Sequence, residues 1–307
     1  MPSLRSRMIN FMIRNRHWLQ FRLQKEKFDM NTSIQGFRDQ CEKGARRYAK
    51  VPEGVIIREE MIAGTRTNWI VPPGADPSGL IMYVHGGGYV SGSCSDHQGF
   101  VAKLAANCGV TNLVYEYRLA PEHPFPAALD DSVVLYQALL ERGYLPENLM
   151  LVGESAGGGL TLAILLALKE KGIPMPAAAV AITPWADLTC SSASYITKNK
   201  RSVAPLDSWT VFSRHYVAHY DPRNPLISPV FGDPVGLPPL LINAGTDDEL
   251  YEDGEQFARK AKAAGVDVTF RAGEGMIHCY PLLAPMFPEA VQAMDEICRF
   301  IRNHMRL

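Results

Sequence analysis

Ser155 stands in Gly153-Glu154-Ser155-Ala156-Gly157, behind the apolar run Leu149 to Val152 and ahead of a long apolar stretch. A G-x-S-x-G segment between strand and helix forces its serine into a strained backbone, and the small residues on either side avoid collisions. The hydroxyl is then exposed at a helix N-terminus, where amides and the macrodipole favour developing negative charge. This context predicts a nucleophile; the plainer alternative is a set of glycines that only pack a tight turn. A second segment, Tyr83-Val84-His85-Gly86-Gly87-Gly88-Tyr89, ends another apolar strand. Consecutive glycines let main-chain N–H groups turn inward, which is how an oxyanion hole is built. No Gly-Lys-Ser/Thr follows and G-x-G-x-x-G is absent, which argues against a phosphate loop. The amides of Gly87, Gly88 and Ala156 are expected to converge on one oxygen.

A serine hydroxyl needs a base, and the base needs an orienting acid. With the nucleophile on a strand-to-helix turn, the acid and then the histidine should follow it in the chain. The histidines after Ser155 are His215, His219, His278 and His304. His215 and His219 lie four apart, but they form no H-E-x-x-H and have no evident third ligand, so they read as cover residues, not metal ligands. His304 falls in a basic terminal helix and reads as solvated. His278 follows a strand and the flexible Gly273-Glu274-Gly275, which suits a base on a loop. The acid lies in Gly245-Thr246-Asp247-Asp248-Glu249-Leu250, where position alone leaves Asp247 and Asp248 nearly even. Glu249 and the unused aspartate are expected to be solvated or to cap the helix beginning near Asp253.

These residues need a scaffold. Period-two patterns predict strands at Val55–Ile57 and Thr67–Val71. Further strands are expected at Leu80–Val84, Asn112–Tyr115, Leu149–Val152, Ala178–Ile182, Leu240–Asn243 and Asp267–Phe270. Helices are expected near Gly99–Cys108, Pro126–Arg142, Ser155–Lys171, Gly254–Ala264 and Pro288–His304. Short apolar strands alternating with helices predict an α/β fold, a doubly wound and mostly parallel sheet with helices on both faces. Ala186 to Pro239 breaks this rhythm and offers no sheet strand, and so long an insertion is usually functional. Residues 1–50 interleave Arg and Lys with apolar residues at helical spacing, which predicts two helices broken near Asn31-Thr32-Ser33. They read either as a basic amphipathic surface that lies on membranes or as helices packing their apolar stripe on the protein's own body. The second is the expectation. Together the two segments would form a helical cap, residues 1–50 and 186–238, over a catalytic domain spanning 51–307.

The chain resembles the hormone-sensitive-lipase-like branch of the α/β-hydrolase superfamily. The resemblance rests on His85-Gly86-Gly87-Gly88, on Tyr115-Glu116-Tyr117-Arg118-Leu119-Ala120-Pro121-Glu122-His123-Pro124, on Gly153 to Gly158, on Pro184-Trp185-Ala186-Asp187-Leu188 and on Gly275 to His278. It implies an α/β-hydrolase fold and a serine carboxylesterase with Ser155 as nucleophile and His278 as base. The family's D-x-L pattern, met by Asp248-Glu249-Leu250, favours Asp248 as the acid. Glu154 and Glu116 replace aspartates common in the family, which should adjust local hydrogen bonds only. His85 is implied to support the glycine loop. Arg118, Glu122 and His123 read as a proline-rich loop tied by an Arg–carboxylate bond, and Cys94 and Cys279 as pocket-lining thiols. The expected substrates are short- to medium-chain esters, with a lactone or other acylated small molecule as the alternative and a non-catalytic binding relative as a remoter one. No cofactor or metal is called for, and a homodimer is implied by family analogy.

Composition sets outer bounds. The chain has 307 residues, 31 Lys+Arg against 32 Asp+Glu and 47% apolar residues, a globular composition. So even a balance implies no nucleic-acid surface. The longest apolar run, Leu162 to Leu168, is far below the ~20 residues of a membrane span, so no stable membrane insertion is expected. Six cysteines without any C-x-x-C read as reduced thiols, which suggests the cytoplasm.

Overall fold

The computed structural model describes residues 1–19, 25–48 and 50–306. Its centre is an eight-stranded sheet in the order β1-β2-β4-β3-β5-β6-β7-β8. The strands are β1 (Ile56–Ile62), β2 (Thr65–Val71), β3 (Leu80–Val84), β4 (Thr111–Tyr115), β5 (Leu149–Glu154), β6 (Ala178–Ile182), β7 (Leu240–Gly245) and β8 (Val268–Gly273). The β1–β2 hairpin joins β4 antiparallel, and every later pairing is parallel. The α/β-hydrolase fold expected from the sequence is therefore present.

The parallel strands are apolar throughout because both of their faces are covered. In β3, Leu80, Met82 and Val84 belong to one core and Ile81 and Tyr83 to the other. The first core holds α5 (Ala127–Glu141), α6 (Ala156–Glu170) and α9 (Tyr251–Ala263). The second holds α4 (Cys94–Cys108) and α10 (Pro288–His304). Helix α4 starts five residues before the expected Gly99. Ser93 caps it by accepting the Asp96 N–H, a signal the periodicity did not show. Cys94 consequently points into the sheet, its Sγ 3.4 Å from the Val114 carbonyl, and is not a pocket thiol. His304 is half-buried, not solvated, with Nδ1 2.8 Å from the Phe300 carbonyl oxygen.

The N-terminal segment forms three described helices where two were expected: α1 (Leu4–Arg14), α2 (Arg16–Leu19) and α3 (Ile34–Tyr48). The extra break falls at Asn15, whose side chain and backbone N–H both turn back to the Phe11 carbonyl. The 186–238 insertion carries α7 (Ser194–Thr197) and α8 (Ser208–Val217), with no named strand among the described residues. The two segments meet directly. Lys27 bridges to Leu206, the Phe28 N–H donates to the Leu206 carbonyl, and the Leu206 N–H donates to that of Glu26.

Arg38 of α3 pins the N-terminal segment to the body. It donates to both oxygens of Glu122 at 2.9 and 2.7 Å and to the carbonyls of Val90 and Ala120. Beside it the Glu122 carboxyl falls to about 2. Arg118 instead pairs with Asp131 at the start of α5, so the proline-rich loop is tied by two Arg–carboxylate bonds, not one. The expectation that α1 buries its apolar stripe is overturned: its buried residues are Ser6, Ile9 and Asn10, while Leu4, Met8, Phe11 and Met12 face outward.

Candidate active site

Ser155 connects β5 to α6 with φ 57° and ψ −124°, a conformation costly for any residue with a Cβ. Its N–H donates to the Ile182 carbonyl at 2.9 Å, and its carbonyl accepts from Gly159 and Trp185. The glycines around it answer to contact. A Cβ on Gly157 would stand 2.1 Å from the Val84 carbonyl oxygen, and one on Gly153 would stand 2.3 Å from that of Gly157. The bend can therefore be this tight only with hydrogen at those positions.

The glycine loop after β3 lies against this bend: a Cβ built on Gly86 would be 3.1 Å from the Ser155 Cβ. Gly87 and Gly88 both have positive φ, at 114° and 66°. Among the described residues no hydrogen bond engages the N–H of Gly87 or Gly88. Ala156 is the first residue of α6, where amides have no intrahelical acceptor. Glu154 is the loop's brace. Its Oε1 accepts from the Gly86 N–H at 2.6 Å and lies 3.1 Å from His97 Nε2. His85 stacks on Tyr117 with ring centroids 4.2 Å apart, and Tyr117 donates to the His85 carbonyl. Burial and neighbouring His97 push His85 down to about 3, so it stays neutral and structural.

Asp248 follows β7 and His278 follows β8. Asp248 Oδ2 lies 2.6 Å from His278 Nδ1, and the carboxylate is almost wholly buried. Burial alone would depress the imidazole. The charge of Asp248, then Cys279 and the hydrogen bond, overcome it and hold His278 well above its ordinary value. The histidine loop is fastened to the same strand end as the serine: Cys279 donates its N–H to Thr183 Oγ1, next to the Ile182 carbonyl that holds Ser155. Asp247, the other candidate, faces away from His278 into two ion pairs, with Arg14 of α1 at 2.7 Å and Arg201 of the insertion at 3.2 Å.

Glu249 departs from expectation. It is neither solvated nor a helix cap, because α9 begins at Tyr251 and Glu249 is 2% exposed. Its Oε2 accepts from Trp209 Nε1 of α8 at 2.7 Å, and its carbonyl accepts from Ser194. Burial raises its carboxyl to about 7 against the hydrogen bonds of Ser202 and Trp209. Trp209 meets His278 edge-on at 5.6 Å and Trp185 at 5.1 Å. Phe212, one turn further along α8, sits where a Cβ on Gly88 would collide, and it packs on Phe28 and Phe37 of the N-terminal segment. Trp209 and Phe212 both lie in the 186–238 segment expected to cover the site; only the fold shows that they meet the His278 ring and the glycine loop. His215 and His219 meet no third ligand: no metal-binding group of three His, Cys, Asp or Glu occurs among the described residues.

The chain is similar to known proteins over most of its length. Residues 81–282 match a family described by the alpha/beta hydrolase fold. An acetyl-hydrolase of Streptomyces hygroscopicus is 40% identical over 255 residues, covering 82% of this chain and 84% of that one. An esterase of Acinetobacter venetianus is 35% identical over 248 residues, covering 80% and 82%. The crystal structure of an esterase from the bacterial hormone-sensitive lipase family superposes with a TM-score of 0.90 at 33% identity, over 99% of both chains.

Proposed function

The chain belongs to the alpha/beta hydrolase fold family and is a carboxylic ester hydrolase, and from that premise we propose that Ser155, His278 and Asp248 are its catalytic triad. The observation that supports this assignment best is the buried Asp248–His278 contact, fastened to the strand end that also holds the strained Ser155.

In this reading His278 Nε2 takes the proton of Ser155 as Oγ attacks the ester carbonyl. The negative oxygen rests on the amides of Gly87, Gly88 and Ala156, each such donor contributing ~10²–10³ in turnover. Collapse expels the alcohol, protonated by His278, and leaves an acyl-enzyme. Water gives a proton to the same histidine, attacks the acyl carbon and releases the carboxylic acid, restoring the hydroxyl. Asp248 keeps Nδ1 protonated and stabilises the imidazolium. Residues 1–50 and 186–238 act as the cap. Phe212 over the glycine loop and Trp209 beside the base would bound the acyl group, which favours short to medium chains. The six free thiols fit a cytoplasmic setting.

The test is mass spectrometry after fluorophosphonate treatment. One adduct per chain should map to Ser155, and Ser155→Ala should lose both the adduct and p-nitrophenyl butyrate hydrolysis while keeping the native circular-dichroism spectrum. A folded Ser155→Ala protein with near-wild-type turnover overturns the assignment.

A further inference from the structure

Helix α1 is amphipathic in the wrong sense for a helix stabilised only by its own domain. Such helices bury their apolar stripe and expose polar residues. Here the inward side consists of Ser6, Ile9 and Asn10, and its contacts with the body are largely polar. Ser3 and Ser6 bond Glu289 of α10, and Asn10 Nδ2 donates to the Gly275 carbonyl at 3.1 Å. Ile9 joins the small cluster of Met276, Ile277, Tyr280 and Phe287, and the half-buried Ile13 packs against it. The helix is thus fixed on the body with its large apolar side chains turned to solvent.

Those side chains form one stripe. At ~100° per residue, Leu4, Met8, Phe11 and Met12 fall within an arc of about 100°. Met8 is 58% exposed and Phe11 56%. Trp18 of α2 extends the stripe, 55% exposed and edge-on to Phe11 at 5.8 Å. The exposed Arg5 and Arg7 flank the stripe on its two sides. Charge separates along the chain in the same way. Residues 1–25 hold Arg5, Arg7, Arg14, Arg16, Arg22 and Lys25 and no acid, although the chain as a whole carries −1. A stripe of Leu, Met, Phe and Trp bordered by arginines suits a helix lying in the plane of a bilayer, with aromatic rings at headgroup depth and guanidinium groups reaching anionic phosphates.

We propose that the outer face of α1 and α2 docks on an anionic lipid surface. The partner is a membrane and not a second copy of this chain, because a copy would set one cationic stripe against another while an anionic bilayer complements it. Docking is peripheral, since no described helix is long and apolar enough to cross a membrane. Arg14, on the last turn of α1, bonds Asp247 next to the acid of the proposed triad, so a docked α1 would set the cap against the lipid surface.

Vesicle flotation tests this with the full chain and two compositions, phosphatidylcholine alone and an equal mixture with phosphatidylglycerol. The protein should float with the anionic vesicles at least tenfold more than with the neutral ones, and that binding should weaken in 0.5 M salt. Leu4→Ser/Met8→Ser/Phe11→Ser and Arg5→Glu/Arg7→Glu should each cut flotation about tenfold or more, while turnover of soluble p-nitrophenyl butyrate and the thermal midpoint stay close to wild type. Equal flotation of wild type and both variants overturns the proposal, as does no flotation with anionic vesicles. A concentration-dependent dimer that the serine variant abolishes, without vesicle binding, overturns it in favour of self-association.

Discussion

Asp247 and Asp248 are neighbours of identical chemistry, which makes exchanging each for asparagine a sharp test of the triad. Asp248 is buried and 2.6 Å from His278 Nδ1. In Asp248→Asn the amide N–H₂ can donate to Nδ1 and move the ring proton to Nε2, the atom that must accept from Ser155. The imidazolium also loses its counter-charge. A change of this kind costs about 10⁴ in kcat, or about 5.5 kcal/mol of barrier. Asp247→Asn removes only partly exposed ion pairs to Arg14 and Arg201, each worth about 0.2–1 kcal/mol. It should lower the thermal midpoint by a few degrees at most and change kcat by less than about threefold. Initial rates on p-nitrophenyl butyrate, with circular dichroism to confirm folding, separate the cases. The reasoning is refuted if Asp247→Asn is as slow as Asp248→Asn, or if folded Asp248→Asn keeps more than a tenth of wild-type kcat.

The elevated His278 value has a definite sign: the base works only when neutral, so kcat/KM should rise with pH and its half-point should lie above 6.5. An acid limb centred at or below 6.5 would contradict the Asp248 coupling. Gly157→Ala should disable the enzyme without touching a reacting group. Its Cβ would need to displace the Val84 and His85 carbonyls, and the strain belongs at or above the top of the roughly 1–3 kcal/mol seen for overpacking; a folded variant with normal turnover and midpoint shows that the bend tolerates a methyl group. Glu249→Leu leaves the buried Trp209 N–H without its acceptor and should cost about 1–3 kcal/mol of stability and several-fold in kcat, while Glu249→Gln, which still accepts, should stay within about threefold. Loss of kcat in both to the same degree would mean that the charge matters and not the bond.

What was legible in the sequence was whatever has a local cause. The strands β3 and β6 and the helix α10 fall where period and flanking turns put them, because burial on both faces or on one stripe dictates their composition. Ser155 and its glycines were readable because the turn admits few residues. The acid was less so: Asp247 and Asp248 differ only in which side of one peptide they face, and the D-x-L resemblance, not their position, favoured the second. Glu249 was misread because its partner, Trp209, lies 40 residues earlier on an element whose docking no local pattern encodes. The α1 stripe was misread for a related reason. Periodicity reveals that a helix has two faces, but which face meets the body depends on Glu289 and Gly275, more than 260 residues away.

The catalytic loops and the cap share residues one position apart, and this couples covering the site to assembling it. In the proposed triad Asp248 orients the base. On one side of it Asp247 is held by Arg14 from the N-terminal segment and Arg201 from the insertion, and on the other Glu249 holds Trp209 of α8. Phe212, on the same helix, rests on Gly88 and on Phe28 and Phe37. Displacing the N-terminal segment therefore strips a partner from Asp247, displacing the insertion strips partners from both neighbours of the acid, and withdrawing α8 also removes the indole from the base and the phenyl from the glycine loop. A flexible cover would be free of such ties. Three consecutive carboxylates with three separate sets of partners instead make the closed cap part of what sets the imidazole's position, so truncating residues 1–30 should lower kcat on small soluble esters and not merely change which esters fit.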